Sequence, residues 1–122
     1  LIIMTEYIKI FEDYLKKELK YTKPENLYNP VKYLLESGGK RLRPIIALNV
    51  SELLGGKISD TLPAAAALEI FHNFTLAHDD IMDNSMLRRG KKTINSKWAY
   101  NLIRGFKPIS RLKIYTFIKK TY

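Results

Sequence analysis

Between Asp60 and Met82 the sequence reads as one long helix. Asp60 suits an N-cap, Pro63 suits the first turn, and the alanine run at 64–67 has the strongest intrinsic preference for helix. The pattern continues through Leu68, Phe71 and Leu76 to about Met82, and the small alanines suit close packing on neighbours. The rest of the chain supplies helical neighbours rather than strands. Ile8, Phe11, Leu15 and Leu19 recur at three and four residues, predicting an amphipathic helix over 5–20 that ends before Lys23-Pro24. Asn29-Pro30 reads as the cap and first position of a short second helix, with Val31, Leu34 and Leu35 on its apolar face and Gly38-Gly39 as its stop. Pro44 opens a third, carrying Ile45, Leu48, Val50 and Leu53 up to Gly55-Gly56. No alternating pattern with hairpin turns occurs in residues 1–100, so the expected fold class is all-α.

A chain of 122 residues holds one modest domain. No apolar run approaches the roughly 18 residues that a spanning helix needs, so no transmembrane segment is expected. Cysteine is absent, which excludes disulfides and thiolate metal sites and is compatible with a reducing compartment; the expected location is cytoplasmic. Leu1-Ile2-Ile3-Met4 has no basic region ahead of a long apolar stretch and is not a signal peptide, and Met4 fits a natural start. The formal net charge of +9 raises the question of nucleic acid, but the charge is unevenly placed. Residues 1–100 hold 15 Lys+Arg against 12 Asp+Glu, whereas 101–122 hold six basic residues and no acid. A nucleic-acid module would have to rely on that tail, and the expected partners do not include nucleic acid.

Three constellations carry chemistry. His78-Asp79-Asp80-Ile81-Met82-Asp83 sets acids beside Arg88-Arg89-Gly90. On a helix, residues four apart rise about 6 Å along nearly the same face, so Asp79 and Asp83 can converge on one cation while Asp80 points about 100° away. Mg²⁺ favours a few carboxylates completed by phosphate oxygens and water, and arginine forks suit phosphate. The bland alternative is a solvated acidic helix end followed by a basic turn. The second constellation is Gly38-Gly39-Lys40-Arg41-Leu42-Arg43-Pro44, in which glycines admit an anion to the backbone, Lys40 and Arg43 flank the turn, and a helix N-terminus follows. It lacks nucleotide P-loop spacing, and a helix cap with solvated charges reads almost as well. The third is on the long helix: His72 lies seven residues before Asp79, on nearly the same face, with Phe71 and Phe74 beside it. A lone histidine there is more often structural and aromatic residues more often core. His78 takes no catalytic role.

Together, in this order and spacing, Gly38 to Pro44, the His72 to Asp83 segment and Arg88-Arg89-Gly90-Lys91-Lys92-Thr93 resemble the trans-isoprenyl diphosphate synthases, or polyprenyl synthetase family, over roughly residues 5–98. The resemblance implies an all-α fold, usually a homodimer, whose helices surround a deep cavity and which joins an allylic diphosphate to isopentenyl diphosphate with Mg²⁺. It implies that Lys40, Arg43 and His72 hold isopentenyl diphosphate, with Arg89, and that Arg88 contacts the allylic diphosphate. Asp79 and Asp83 would bind the metal. Phe71, Phe74 and Thr75 would limit chain growth; with only Phe74 aromatic at the positions four and five before Asp79, a short C15 or C20 product is expected, C20 by preference.

The resemblance also shows what is missing. Lys92 stands where the family usually has proline, Asn95 stands near a usual histidine, and no Asp or Glu follows Asp83, so the second acidic cluster of the family is not in this chain. Arg104-Gly105-Phe106-Lys107-Pro108 breaks any helix, and Ile114 to Ile118 has strand propensity. The expectation is an N-terminal helical part of a synthase domain over 1–100 and a basic tail over 101–122 that a disrupted reading frame would leave, with little activity in this polypeptide. The alternative is a non-catalytic diphosphate-binding or regulatory partner of a full-length synthase.

Overall fold

The apolar stripes close on one another as four helices. In the computed structural model, which describes residues 2–20 and 23–98, α1 spans Ile2–Glu18, α2 Glu25–Glu36, α3 Leu42–Leu53 and α4 Ile58–Met82. α3 and α4 form the main pair, α1 lies against both, and α2 touches α4. The core gathers Tyr7, Phe11 and Leu15 of α1, Leu35 of α2, Ile45 and Leu48 of α3, and Ala65 and Ala66 of α4. Two of the four alanines therefore face inward, where a bare methyl lets the helices approach closely, and Ala64 and Ala67 face out. No helix among the described residues is long and apolar enough to cross a membrane.

All four helix starts differ from expectation: α1 begins at Ile2 rather than residue 5 and ends at Glu18 rather than residue 20, and the other three starts move for local reasons. α2 begins more than a turn early: Pro24 is extended (φ −69°, ψ 136°) and its carbonyl accepts the Tyr28 N–H at 3.1 Å, so it is the cap residue, and Glu25 places its charge in the first turn. Pro30 thus lies inside the helix, where it removes one backbone bond, and the burial of Leu34 and Leu35 keeps the helix in place. α3 starts at Leu42 because Arg41 takes the left-handed conformation (φ 53°) and its carbonyl accepts from the Ile45 N–H at 3.2 Å. Pro44 is then the third helical residue, whose missing N–H has no partner in the helix anyway. α4 starts at Ile58, with Lys57 as the cap and Asp60 in the first turn. The Thr61 hydroxyl donates to the Lys57 carbonyl at 3.0 Å and shares a 2.6 Å hydrogen bond with Ser51, which ties this added turn to the end of α3.

One strand pair departs from the all-helical expectation for residues 1–100. β1 (Leu87–Arg88) and β2 (Lys91–Lys92) pair antiparallel around Arg89 and Gly90, both at positive φ (53° and 74°). Positive φ at both central residues matches the right-handed twist of a two-residue hairpin. The class stays all-α. Thr93 follows, buried, its hydroxyl donating to the Ser85 carbonyl at 2.8 Å and accepting the Ser96 N–H as residues 94–98 turn helical. Tyr33 of α2 holds this segment: its hydroxyl donates to the Lys92 carbonyl at 2.7 Å and its ring meets Trp98 edge-on at 5.2 Å. The expectations for the tail, including a strand at 114–118, lie outside the described residues.

Candidate functional site

The hairpin and the α3 start meet across a gap of fifty residues. Gly38 and Gly39 have φ of 97° and 134°, a backbone that side chains rarely adopt. A Cβ on Gly39 would also sit 3.2 Å from Nη2 of Arg89, whose Nη1 donates to the Gly38 carbonyl at 2.6 Å. The glycine pair therefore serves both the bend and the seating of Arg89. Beside it opens a cleft of about 480 Å³ bounded by Gly39, Lys40, Arg41, Leu42, Arg43 and Arg89 together with His72 and Glu69 of α4. Lys40 and Arg43 are exposed, and His72 is half-buried. Four of the five residues expected to hold substrate thus line one cavity: Lys40, Arg43, His72 and Arg89.

The cleft is strongly cationic. Burial first, and then the charges of Arg43, Arg89 and Arg88, push the His72 imidazole below its ordinary value of 6.5, with Glu69 working the other way. His72 is therefore neutral at pH 7. Because its folded value lies below the unfolded one, its contribution to stability is full above about pH 6.5 and is lost as the pH falls through the folded value. An anion bound among these groups reverses the balance. NMR titration should find His72 protonating below 6.5 in the free chain and at a higher pH once inorganic diphosphate is added. A midpoint that diphosphate leaves in place would show that the imidazole does not face the anion.

Arg88, the fifth residue, is engaged elsewhere. Its Nε lies 3.0 and 2.9 Å from the two carboxylate oxygens of Asp80, and its Nη2 lies 2.8 Å from Oδ1. The Asp80 side chain is 4% exposed and that of Arg88 29%. The bonds to Asp80 hold the guanidinium above its ordinary value, burial opposes them, and the charges of Asp79 and Asp83 add to them. Asp80 points away from its neighbours as the helical angle requires, while Asp79 and Asp83 are exposed at the end of α4. Among the described residues no three His, Cys, Asp or Glu side chains converge so as to hold a metal by themselves. Two open carboxylates with room for ligand oxygens fit Mg²⁺ better than an ion that needs a closed protein cage.

Phe71 and Phe74 are not core. They are 64% and 61% exposed, with ring centroids 6.2 Å apart, and Phe74 lies 6.3 Å from the His78 ring. They form an outward stripe running toward the acidic end of α4. Thr75 turns back into the helix, its hydroxyl donating to the His72 carbonyl at 2.6 Å.

Sequence reasoning missed the buried polar centre. Arg41 Nε donates to Glu12 Oε1 at 2.7 Å, Nη1 to Glu69 Oε1 at 3.1 Å, and Nη2 to the Leu35 carbonyl. Asn73 donates to the Glu69 carbonyl at 2.8 Å. The signal was present in Glu69 itself, a lone charge set between Leu68 and Ile70 on an apolar helix, since such a residue is rarely buried without a partner.

A family model described as polyprenyl synthetase matches residues 24–106. A geranylgeranyl diphosphate synthase of Methanosarcina mazei is 49% identical over 81 residues, 66% of this chain and 25% of the relative. A geranylgeranyl pyrophosphate synthase of Geoglobus acetivorans is 44% identical over 94 residues, 77% of this chain and 30% of the relative. Among solved structures, a geranylgeranyl pyrophosphate synthase superposes with a TM-score of 0.76 at 38% identity, over 97% of this chain and 41% of that one. The chain thus spans less than a third of the length of the two curated relatives.

Proposed function

The chain belongs to the polyprenyl synthetase family, and from that premise we propose that the protein carrying it joins an allylic diphosphate to isopentenyl diphosphate, giving a short C15 or C20 prenyl diphosphate. One observation supports this above the others: Lys40, Arg43, His72 and Arg89, drawn from the α3 start, α4 and the hairpin, line a single cationic cleft. A diphosphate needs several donors converging from different directions, and Lys40, Arg43 and Arg89 supply charge while the glycine turn leaves the approach open.

The chemistry divides between this cleft and the acidic end of α4. The allylic carbon–oxygen bond breaks and diphosphate leaves with the electron pair. The isopentenyl double bond attacks the allylic carbon, and a proton is lost to restore the alkene. Lys40, Arg43 and Arg89 anchor the isopentenyl diphosphate so that its double bond is held in place, and neutral His72 donates a hydrogen bond to a phosphate oxygen. Asp79 and Asp83 would hold Mg²⁺, which when bound neutralises charge on the leaving diphosphate. Phe71 and Phe74 present apolar surface beside that end and exclude water from a cationic carbon. A homodimer is part of the same proposal.

The test is condensation of labelled isopentenyl diphosphate with C10 or C15 allylic diphosphates by the complete enzyme, where no product would end the reading. The 122-residue chain alone is expected to bind diphosphate without condensing it. In the complete enzyme, Phe74→Ala should shift products beyond C20 by at least one five-carbon unit, since it removes the larger side chain nearest the acidic end. Chromatography showing an unchanged product length would remove Phe74 from that role.

A further inference from the structure

We propose that Arg41 is a positioning residue of the diphosphate cleft, acting through Glu69 and the glycine turn without touching the ligand; this rests on the reading of that cleft as a diphosphate site. In the run Lys40-Arg41-Leu42-Arg43 three residues are exposed and only Arg41 is buried, at 5% exposure. Its guanidinium reaches Glu12 on α1, the Leu35 carbonyl at the end of α2, and Glu69 on α4. Its backbone meanwhile caps α3 in the left-handed conformation. One residue therefore joins all four helices, three through its side chain and α3 through its backbone, at the point where Lys40 and Arg43 leave the turn on either side of it.

The electrostatics give this residue a task beyond holding the fold. Glu69 lines the cleft beside Arg41 and is 3% exposed, with its Oε1 3.1 Å from Nη1 of Arg41, so its charge lies under the place where the anion would sit and is poorly screened by water. A buried negative charge beside a diphosphate site repels the ligand strongly at low local dielectric. Arg41 supplies the counter-charge and directs one Glu69 oxygen toward itself. Burial lowers the Arg41 pKa, but the bonds to Glu12 and Glu69 more than offset this and keep the guanidinium charged. Two carboxylates on one guanidinium leave the cluster one negative charge in excess. Arg41 and Glu69 both line the cleft that must accept an anion, so the guanidinium offsets the carboxylate at the wall itself.

Charge and scaffolding make different predictions, which isosteric variants separate. The measurement is binding of inorganic diphosphate to the 122-residue chain by titration calorimetry at fixed salt, with helicity of each variant followed by circular dichroism. Glu69→Gln should tighten binding severalfold, because it removes the repelling charge and keeps an oxygen for Arg41. Arg41→Gln should weaken binding about tenfold or more, and adding Glu69→Gln to it should recover the affinity to within about threefold of wild type. A merely structural Arg41 predicts that both single variants weaken binding and that the double variant is no better than Arg41→Gln. If Arg41→Gln does not fold, Glu69→Gln alone decides, and an unchanged or weaker affinity overturns the proposal. Lys40→Gln separates the two levels. If it weakens binding while Arg41→Gln leaves it unchanged, the cleft stands and the role of Arg41 falls; a wild-type chain that binds no diphosphate overturns both.

Discussion

Replacing Asp79 and Asp83 together by asparagine should lower kcat of the complete enzyme by about 10³-fold or more while changing KM for isopentenyl diphosphate only slightly. A metal that stabilises a leaving diphosphate contributes several kcal/mol to the barrier, and about 1.4 kcal/mol is tenfold in rate. The two functions use different side chains: Lys40, Arg43, His72 and Arg89 line the cleft, and the two carboxylates, which do not, lie two turns or more beyond His72 at the end of α4. Both carboxylates are exposed, so the double substitution relieves like-charge repulsion and leaves the fold intact to within about 0.5 kcal/mol. Steady-state kinetics across a Mg²⁺ titration check the prediction. A loss of less than tenfold would remove these residues from metal binding, and an equal rise in KM for isopentenyl diphosphate would show that the two sites are not separate.

What could be read in the sequence follows from which interactions are local. α1 and α4 were legible because their apolar spacing and the alanine run act within a few residues, and α4 ends at Met82 as expected. The helix starts were less so. Pro30 and Asp60 look like start signals in isolation, but Pro24 and the Ser51–Thr61 bond, which joins residues ten apart, move both starts earlier. The hairpin escaped because two-residue strands have no period to detect, and the conformation of Arg89 at φ 53° gives no hint in the letters. Asp79 and Asp83 were separable from Asp80 by helical angle alone. Arg41 was not separable from Lys40 and Arg43, because what distinguishes it is three partners on three other helices. Spacing identifies residues that share a face; it does not identify the one whose partners lie 28 and 29 residues away.

Arg88→Ala should destabilise the fold by about 2–4 kcal/mol, which is the usual cost of stranding a buried charge reduced for the partial exposure of Arg88. Asp80 is the reason: its side chain is 4% exposed and it receives three close contacts from one guanidinium. Urea unfolding at pH 7 of Arg88→Ala, Asp80→Asn and the double variant closes a thermodynamic cycle. The coupling should reach about 1–3 kcal/mol, with the double variant losing much less than the sum of the singles. An arginine reserved for substrate would instead leave stability unchanged and show no coupling to Asp80. The distinction bears on the acidic end of α4. Three carboxylates within five residues repel, and an exposed Asp80 would compete with its neighbours for any cation. Because Arg88 withdraws the middle acid from solvent, Asp79 and Asp83 remain as an open pair. The arginine thus shapes a site for a cation even while its own fork is occupied, and Arg88→Lys, which keeps the charge but not the fork, should lose part of the stability and the coupling together.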